Sequence, residues 1–226
     1  MKKHSKRIKE IRKSLDKTKV YNLKEAIAAM KQFPKTKFDE SVDLHLHLNI
    51  DPKQSDQLVR GTVVLPHGTG KKVRIAVFCK GEQEVKAREL GADFVGGLEL
   101  IDKVANGFLD FDCAIATPEM MKDLSKVGKI LGPRGLMPSP KTGTVTMDIA
   151  RAIKEVKAGK IEFKSDKQGG IHVSVGKLSF SAEQLYDNCH MVLGAIKQSK
   201  PASIKGEMIR NISLANTMGA GLTISA

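Results

Sequence analysis

The best candidate for nucleotide chemistry in this sequence is the segment at residues 68–72, which runs Gly-Thr-Gly-Lys-Lys. A phosphate-binding P-loop needs a glycine five residues before its Gly-Lys pair and a serine or threonine directly after it, because that hydroxyl holds magnesium. Leu65 and Lys72 occupy those two positions. The sequence also contains no G-x-S-x-G and no H-E-x-x-H motif. We therefore predict that the protein is not an enzyme and uses no cofactor. A nucleotide-dependent enzyme is kept as an alternative hypothesis.

Histidines on a regular strand are the second place where chemistry is conceivable. Apolar and polar residues alternate from 42 to 50, the pattern of an antiparallel strand with one buried face, so His45 and His47 share the outer face. Two histidines at this spacing could bind a metal ion, but the local sequence supplies no third ligand. We therefore predict solvent-facing histidines and no metal site. The cysteines form no C-x-x-C pair and lie among apolar residues, which predicts buried free thiols at Cys79, Cys113 and Cys189.

A strong excess of positive charge gives the first indication of a partner. The 226 residues include 38 lysines and arginines against 25 acids, a formal net charge of +13. Such a field attracts nucleic acids, anionic membrane surfaces and heparin-like polymers alike. Aromatic residues make up only 4% of the chain, which disfavours base stacking and favours structured RNA or a duplex. Because neither a membrane span nor a signal-peptide core is visible, we expect a cytoplasmic protein with no membrane partner.

Much of this charge lies in an N-terminal arm. Residues 1–24 contain ten lysines and arginines and two acids. Ile8, Ile11 and Leu15 recur there at helical spacing, which predicts a helix with one apolar stripe that docks on the fold. The alternative is a solvated face or a frayed tail.

The order of the predicted elements indicates an α/β fold with two domains. Strands at 73–78, 92–95 and 113–116 alternate with helices at 82–90 and 98–105, the pattern of βαβ units around a parallel sheet. Around them we predict helices at 23–33, 148–157 and 182–197 and strands at 42–50, 60–66, 161–163, 171–175, 208–214 and 222–224. Residues 68–157 are predicted to be an α/β domain of their own. If residues 1–67 and 158–226 form one domain, this α/β domain is inserted into it, with a hinge at residues 66–70.

The charge is unequal between these two parts. Residues 68–157 contain 15 basic and 12 acidic residues, a net charge of +3, whereas the remainder contains 23 and 13, a net charge of +10. The discontinuous domain is therefore the better candidate for a polyanion-binding surface.

A segment rich in glycine and proline at residues 128–145 is the sharpest local feature. It contains three cations and no acid, and its glycines and prolines predict neither a regular helix nor a strand over 128–138. Such a loop lets the backbone approach phosphates closely. The alternative is a rigid loop that packs between domains. The residues that would touch RNA are Lys129, Gly132, Arg134, Gly135 and Lys141.

Together with blocks elsewhere, this segment resembles a known family. The blocks, in family order over nearly the whole chain, are KFDESV at 37–42, IDP at 50–52, VRGTVVLPHGTGK at 59–71, GAD at 91–93, ATP at 116–118, GKIEF at 159–163 and TMG at 217–219. They resemble the bacterial form of the large-subunit ribosomal protein family of the mobile stalk beside the exit site. The resemblance implies a discontinuous α+β, RNA-binding domain at 1–67 and 158–226 and an inserted Rossmann-like domain at 68–157, joined by a hinge. It implies no catalytic residue.

The same resemblance implies partners and contact residues. The partners are the large ribosomal subunit, its ribosomal RNA, deacylated tRNA leaving the exit site, and in many bacterial members their own mRNA, whose translation they repress. Phe38 and Met218 could alternatively be ordinary core residues. The rRNA-binding residues that it implies are Lys37, Phe38, Ser41, Thr217, Met218 and Gly219, with Lys167 and His172 as weaker candidates. The sequence departs from the usual family pattern at Asn211, Asn216 and Ala220, which predicts a looser turn with altered contacts.

Overall fold

The computed structural model describes residues 6–15, 19–34, 36–201, 203–204 and 206–225. In chain order the helices and strands are α1 (Lys6–Ser14), α2 (Leu23–Lys31), β1 (Ser41–Leu48), β2 (Arg60–Val64), β3 (Ile75–Phe78), α3 (Glu82–Glu89), β4 (Phe94–Gly96), α4 (Leu98–Ala105), β5 (Cys113–Ala116), α5 (Met121–Leu124), α6 (Gly128–Leu131), α7 (Ile149–Lys157), β6 (Lys160–Lys164), β7 (Gly170–Lys177), α8 (Ala182–Gln198), β8 (Ile209–Asn216) and β9 (Leu222–Ile224). Helices and strands thus alternate along the chain, which confirms the predicted α/β class.

The chain divides into two compact units. The terminal unit comprises residues 1–70 and 161–226, and the inserted unit comprises residues 71–160. Each boundary lies three residues beyond the one placed from sequence. Gly70 lies against the side chains of Lys177 and Phe180, which places it with the terminal unit.

An antiparallel sheet in the order β7-β1-β8-β9 is the main sheet of the terminal unit, and β2 pairs with β6 in a separate two-stranded sheet. Along β1 the side chains at even positions from Val42 to Leu48 are buried, and α2 and α8 cover that face. Helix α8 begins with a capping box in which Ser181 and Gln184 satisfy each other's backbone N–H groups. The polar face keeps His45 opposite His172 on β7, so the predicted half-buried antiparallel strand is confirmed.

Helix α1 docks on the terminal unit, as its apolar stripe predicts. Ile11 is 1% exposed and belongs to the same core as the sheet, and Leu15 packs against that core. Residues 1–5 and 16–18 of the basic arm lie outside the described residues. The described part of the arm is therefore attached by hydrophobic burial as well as carrying charge.

The inserted unit contains the predicted parallel sheet, in the order β4-β3-β5. All four residues of β3 are buried, because α3 and α7 contribute to the core on one face and α4 and α5 to the core on the other. One local prediction was wrong. Residues 128–131 form the short helix α6, since Leu131 anchors this turn in the core and glycine tolerates one helical turn. Among the described residues, no helix is both long and apolar enough to cross a membrane.

Candidate nucleic-acid interface

A turn after β8 meets the start of β1 at one end of the antiparallel sheet. The Thr217 N–H donates to the Ser41 carbonyl at 3.0 Å, and the Ser41 N–H donates to Thr217 Oγ1, also at 3.0 Å. Antiparallel pairing brings these residues together, because Val42 lies opposite Asn216 in the register. The structure therefore places Ser41 next to the turn at residues 217–219, although 176 residues separate Ser41 from Thr217 along the chain.

A buried carboxylate supports this turn from below. Glu40 is 1% exposed, and its Oε2 accepts hydrogen bonds from Asn216 Nδ2 at 2.5 Å and from the Met218 N–H at 3.1 Å. The Arg7 guanidinium lies 3.4 Å from Glu40 Oε1. A buried charge is tolerated when it is paired and hydrogen-bonded, and here both carboxylate oxygens have partners.

Gly219 closes the turn by a close approach to Asn216. Its N–H donates to the Asn216 carbonyl at 3.0 Å, and a Cβ at this position would lie only 1.6 Å from Asn216 Oδ1. No side chain can occupy that space without moving Asn216. Asn216, one of the departures from the family pattern, is therefore part of the architecture of the turn.

Two large apolar side chains flank the turn and face solvent. Phe38 is 54% exposed and Met218 is 49% exposed, so the alternative interpretation of both as core residues is wrong. The Thr36 hydroxyl donates to the Phe38 carbonyl at 2.8 Å, which ties down the segment before β1. Lys37, between Thr36 and Phe38 in the sequence, is exposed. This end of the sheet thus presents a cation and two apolar side chains near a backbone turn that hydrogen bonds hold in place.

A second polar cluster lies farther along the same sheet. The Nδ1 atoms of His45 and His172 are 2.9 Å apart, and His172 Nε2 lies 3.6 Å from Asp166 Oδ2. Burial, and then the charge of His172, lower the pKa of His45. Backbone N–H groups of Gly170 and Gln168 hold the pKa of Asp166 below its usual range. Lys167 is exposed on the adjoining turn.

This cluster is separate from the turn at 217–219. His45 is four residues beyond Ser41, which is about 13 Å along an extended strand. The weaker candidates Lys167 and His172 therefore do not join the first group of predicted contacts, but they share the polar face of the same sheet.

The loop of the inserted unit presents its three cations to solvent. Lys129, Arg134 and Lys141 are all exposed. Gly135 has a φ of +70°, which glycine adopts readily, and the Gly132 N–H donates to the Gly128 carbonyl at 2.8 Å. The hydroxyls of Thr142 and Thr144 both donate to the Ser139 carbonyl, at 3.0 and 3.2 Å. Local hydrogen bonds therefore shape this loop.

Metal chemistry finds no support in the part of the chain that the structure describes. Within it, no three histidine, cysteine, aspartate or glutamate side chains are grouped so that they could hold a metal ion.

Burial raises the pKa of Cys79 to about 11 and that of Cys189 to about 12. Cys113 is only partly buried, so the prediction of buried thiols fails at that position.

Comparison with known proteins identifies the family of this chain. Residues 30–220 match the model of the ribosomal protein L1p/L10e family. The chain belongs to this family. It is 55% identical over 224 residues to the large ribosomal subunit protein uL1 of Solidesulfovibrio magneticus, which covers 99% of this chain and 95% of the relative. The proteins of the same name from Protochlamydia amoebophila and Kosmotoga olearia are 54% and 52% identical, over 97% and 99% of this chain and 93% and 97% of theirs.

Membership of the L1 family confirms the resemblance seen in the sequence, and this is a family of ribosomal proteins and not of enzymes. The matched range includes Glu40 and the turn at 217–219. Sequence reasoning did not single out Glu40, although it lies within the KFDESV block. It also did not single out Arg7. This residue lies outside the matched range, and its contacts with Glu40 and Met218 join residues that are far apart along the chain.

Proposed function

We propose that this L1-family chain is a structural constituent of the large ribosomal subunit and binds large-subunit ribosomal RNA. Its binding site is the turn surface, which we define as Lys37, Phe38, Ser41, Thr217, Met218 and Gly219. The relatives that span nearly the whole chain are named as large-subunit ribosomal proteins. The observation that supports the site is the exposure of Phe38 and Met218 beside a turn whose backbone is held by Ser41 and Glu40.

The chemistry of the turn surface suits folded RNA better than arbitrary duplex. Lys37 can neutralise a phosphate, and the hydroxyls of Ser41 and Thr217 can bond to phosphate or to a ribose 2′-OH. Phe38 and Met218 can pack on the sugar and base faces that an internal loop exposes. Because apolar packing depends on shape, these two side chains supply selectivity that charge cannot.

The inserted loop is the proposed second RNA contact. Lys129, Arg134 and Lys141 can each neutralise a phosphate, and the glycines at 132 and 135 let the backbone approach the RNA closely. Lys167 and His172 extend the proposed contact along the polar face of the terminal sheet.

Two finer activities belong to the same proposal. The first is assistance in the release of deacylated tRNA from the exit site, and the second is repression of the chain's own mRNA through an RNA element similar to the ribosomal one. Both rest on the family resemblance and require recognition of RNA but no catalytic residue. Competition between the chain's own mRNA leader and the ribosomal stem tests the second activity, and tRNA release from ribosomes lacking the chain tests the first.

Binding of an isolated ribosomal stem with an internal loop tests the turn surface. We expect Met218→Asp to weaken binding at least about tenfold, which is about 1.4 kcal/mol, and Thr217→Val to weaken it less. Met191→Asp is the matched control, because Met191 is 48% exposed on α8 and the change adds the same charge. Equal loss for Met218→Asp and Met191→Asp, or equal binding of an arbitrary duplex by the wild type, would contradict the site. Preference for anionic vesicles over RNA would favour a membrane-surface protein instead.

A further inference from the structure

The backbone of Met218 is held on both sides by charged side chains. Its N–H donates to Glu40 Oε2 at 3.1 Å, and its carbonyl accepts a hydrogen bond from Arg7 Nη2. Arg7 Nη1 also lies 3.4 Å from Glu40 Oε1 and 3.4 Å from the Pro34 carbonyl. One arginine of α1 therefore connects the start of β1, the segment after α2 and the turn at 217–219.

Burial makes this connection strong. The Glu40 side chain is 1% exposed and that of Arg7 is 20% exposed, so their attraction is screened far less than that of a surface pair. Without Arg7, Glu40 would keep its two donors but lose the cation that lies against it. A buried carboxylate in that state is costly, so Glu40 and the turn would be expected to shift towards water.

The Arg7 side chain is directed at the fold itself. Its guanidinium donates to one carboxylate and two carbonyls of the fold itself. Its planar fork is suited to such bridging, whereas a lysine ammonium provides only a point charge. Ile11, one turn later and 1% exposed, anchors the same helix in the core. Arg7 is therefore fixed towards the turn and not towards a phosphate.

We propose that Arg7 is a positioning residue for RNA recognition: α1 uses it to lock the Met218 backbone, so that the arm contributes to selectivity as well as to attraction. This inference rests on the proposed function, because it assigns a role to the turn surface. It predicts that loss of Arg7 and loss of an ordinary arm cation have different effects.

Three variants of the full chain separate these roles. Arg7→Lys keeps the charge and removes the fork, Arg7→Met removes both, and Lys9→Met removes an exposed charge from the same helix. We expect both Arg7 variants to bind the ribosomal stem at least fivefold more weakly while their affinity for an arbitrary duplex stays within twofold. Lys9→Met should change both affinities by one common factor. For Arg7→Lys the dependence of affinity on salt should stay unchanged, because no phosphate contact is lost.

The inference would be overturned if Arg7→Lys kept the full preference of the wild type for the stem. It would also be overturned if Arg7→Met lost affinity equally for the stem and for the duplex. A wild type without any preference for the stem would overturn the proposed function itself, and this inference with it. The two failures are therefore distinguishable.

A measurement on the free protein checks the mechanism without RNA. Hydrogen exchange of the Met218 amide should accelerate at least tenfold in Arg7→Met and stay unchanged in Lys9→Met. The reason is that the hydrogen bond from the Met218 N–H to the Glu40 carboxylate depends on the Arg7 guanidinium, which holds that carboxylate in place. Circular dichroism reports whether each variant is folded. If Arg7→Met does not fold, the same exchange is read in Arg7→Lys, where unchanged protection of Met218 overturns the inference.

Discussion

The turn surface of the terminal unit and the loop at residues 128–145 of the inserted unit differ in what holds them in place. A buried carboxylate and an arginine reach the turn from distant parts of the chain, and the carboxylate also binds Asn216, directly before the turn. The inserted loop is shaped mainly by hydroxyls and backbone groups within the loop itself. The first arrangement fixes a surface that can select by shape. The second displays charge, which attracts any phosphate backbone.

Their glycines also differ. Gly135 has a positive φ, and a Cβ there would meet nothing within 4 Å. Gly219 has no such φ, but a Cβ there would collide with Asn216. A backbone preference thus explains Gly135, whereas close packing within the turn itself explains Gly219.

The largest expected effect is that of Gly219→Ala. The added Cβ must displace Asn216 and with it the donor to Glu40, so we expect a loss of about 1–3 kcal/mol in the free energy of unfolding and a loss of binding to the ribosomal stem. Denaturant titration and RNA binding measure the two. Gly221→Ala is the control, because a Cβ at Gly221 meets nothing within 4 Å. Similar behaviour of the two variants would contradict the importance of the close approach between Gly219 and Asn216.

A smaller and uniform effect is expected for Arg134→Met in the inserted loop. Loss of one phosphate contact should weaken binding to the ribosomal stem and to an arbitrary duplex by the same factor, and lower the salt slope by about 0.9. Lys126→Met is the control, since Lys126 Nζ is held 3.1 Å from Asp123 Oδ1. A loss confined to the ribosomal stem would show that the loop selects as the turn does.

The smallest effect concerns pH. The pKa of His45 is lowered in the fold, so the unfolded chain binds more protons, and stability falls as the pH drops through about 6.5. All six histidines lie outside residues 71–160. In the inserted unit, Arg74 lowers the pKa of Asp112, and Lys160 and Arg151 lower that of Glu155. The stability that these paired carboxylates contribute is therefore lost only at more acidic pH.

The melting temperature should therefore be lower at pH 5.5 than at pH 7.5, and this difference should be smaller in His45→Gln. An unchanged decrease in that variant would assign the pH dependence to another group.

Much of the fold followed from local patterns. The alternation along β1 and the apolar runs of β3 and β5 predicted the two kinds of sheet, because a strand with one solvated face differs in composition from a strand covered on both faces. The bounds were less accurate: α2 ends at Lys31 and not at residue 33, and α6 begins within a segment rich in glycine. Helix ends depend on a few local hydrogen bonds, which composition specifies poorly.

The candidate site was predictable only in part. The residues of the turn surface came from resemblance to a family, since Phe38 and Met218 taken alone suggested core packing. Glu40 and Arg7 were missed because nothing in their immediate sequence marks one as buried and the other as its partner. The contact between His45 and His172 was missed because it depends on the register of β1 with β7.

The sequence by itself determined the excess of positive charge, its concentration outside residues 68–157 and the periodicity of the strands. These properties are local or additive along the chain. Only the tertiary structure decided which charges are buried, which are paired and which face solvent. Arg7 and Lys9 are both cations of α1, yet one lies against Glu40 and the other is exposed, because burial and pairing depend on groups 33 and 211 residues away.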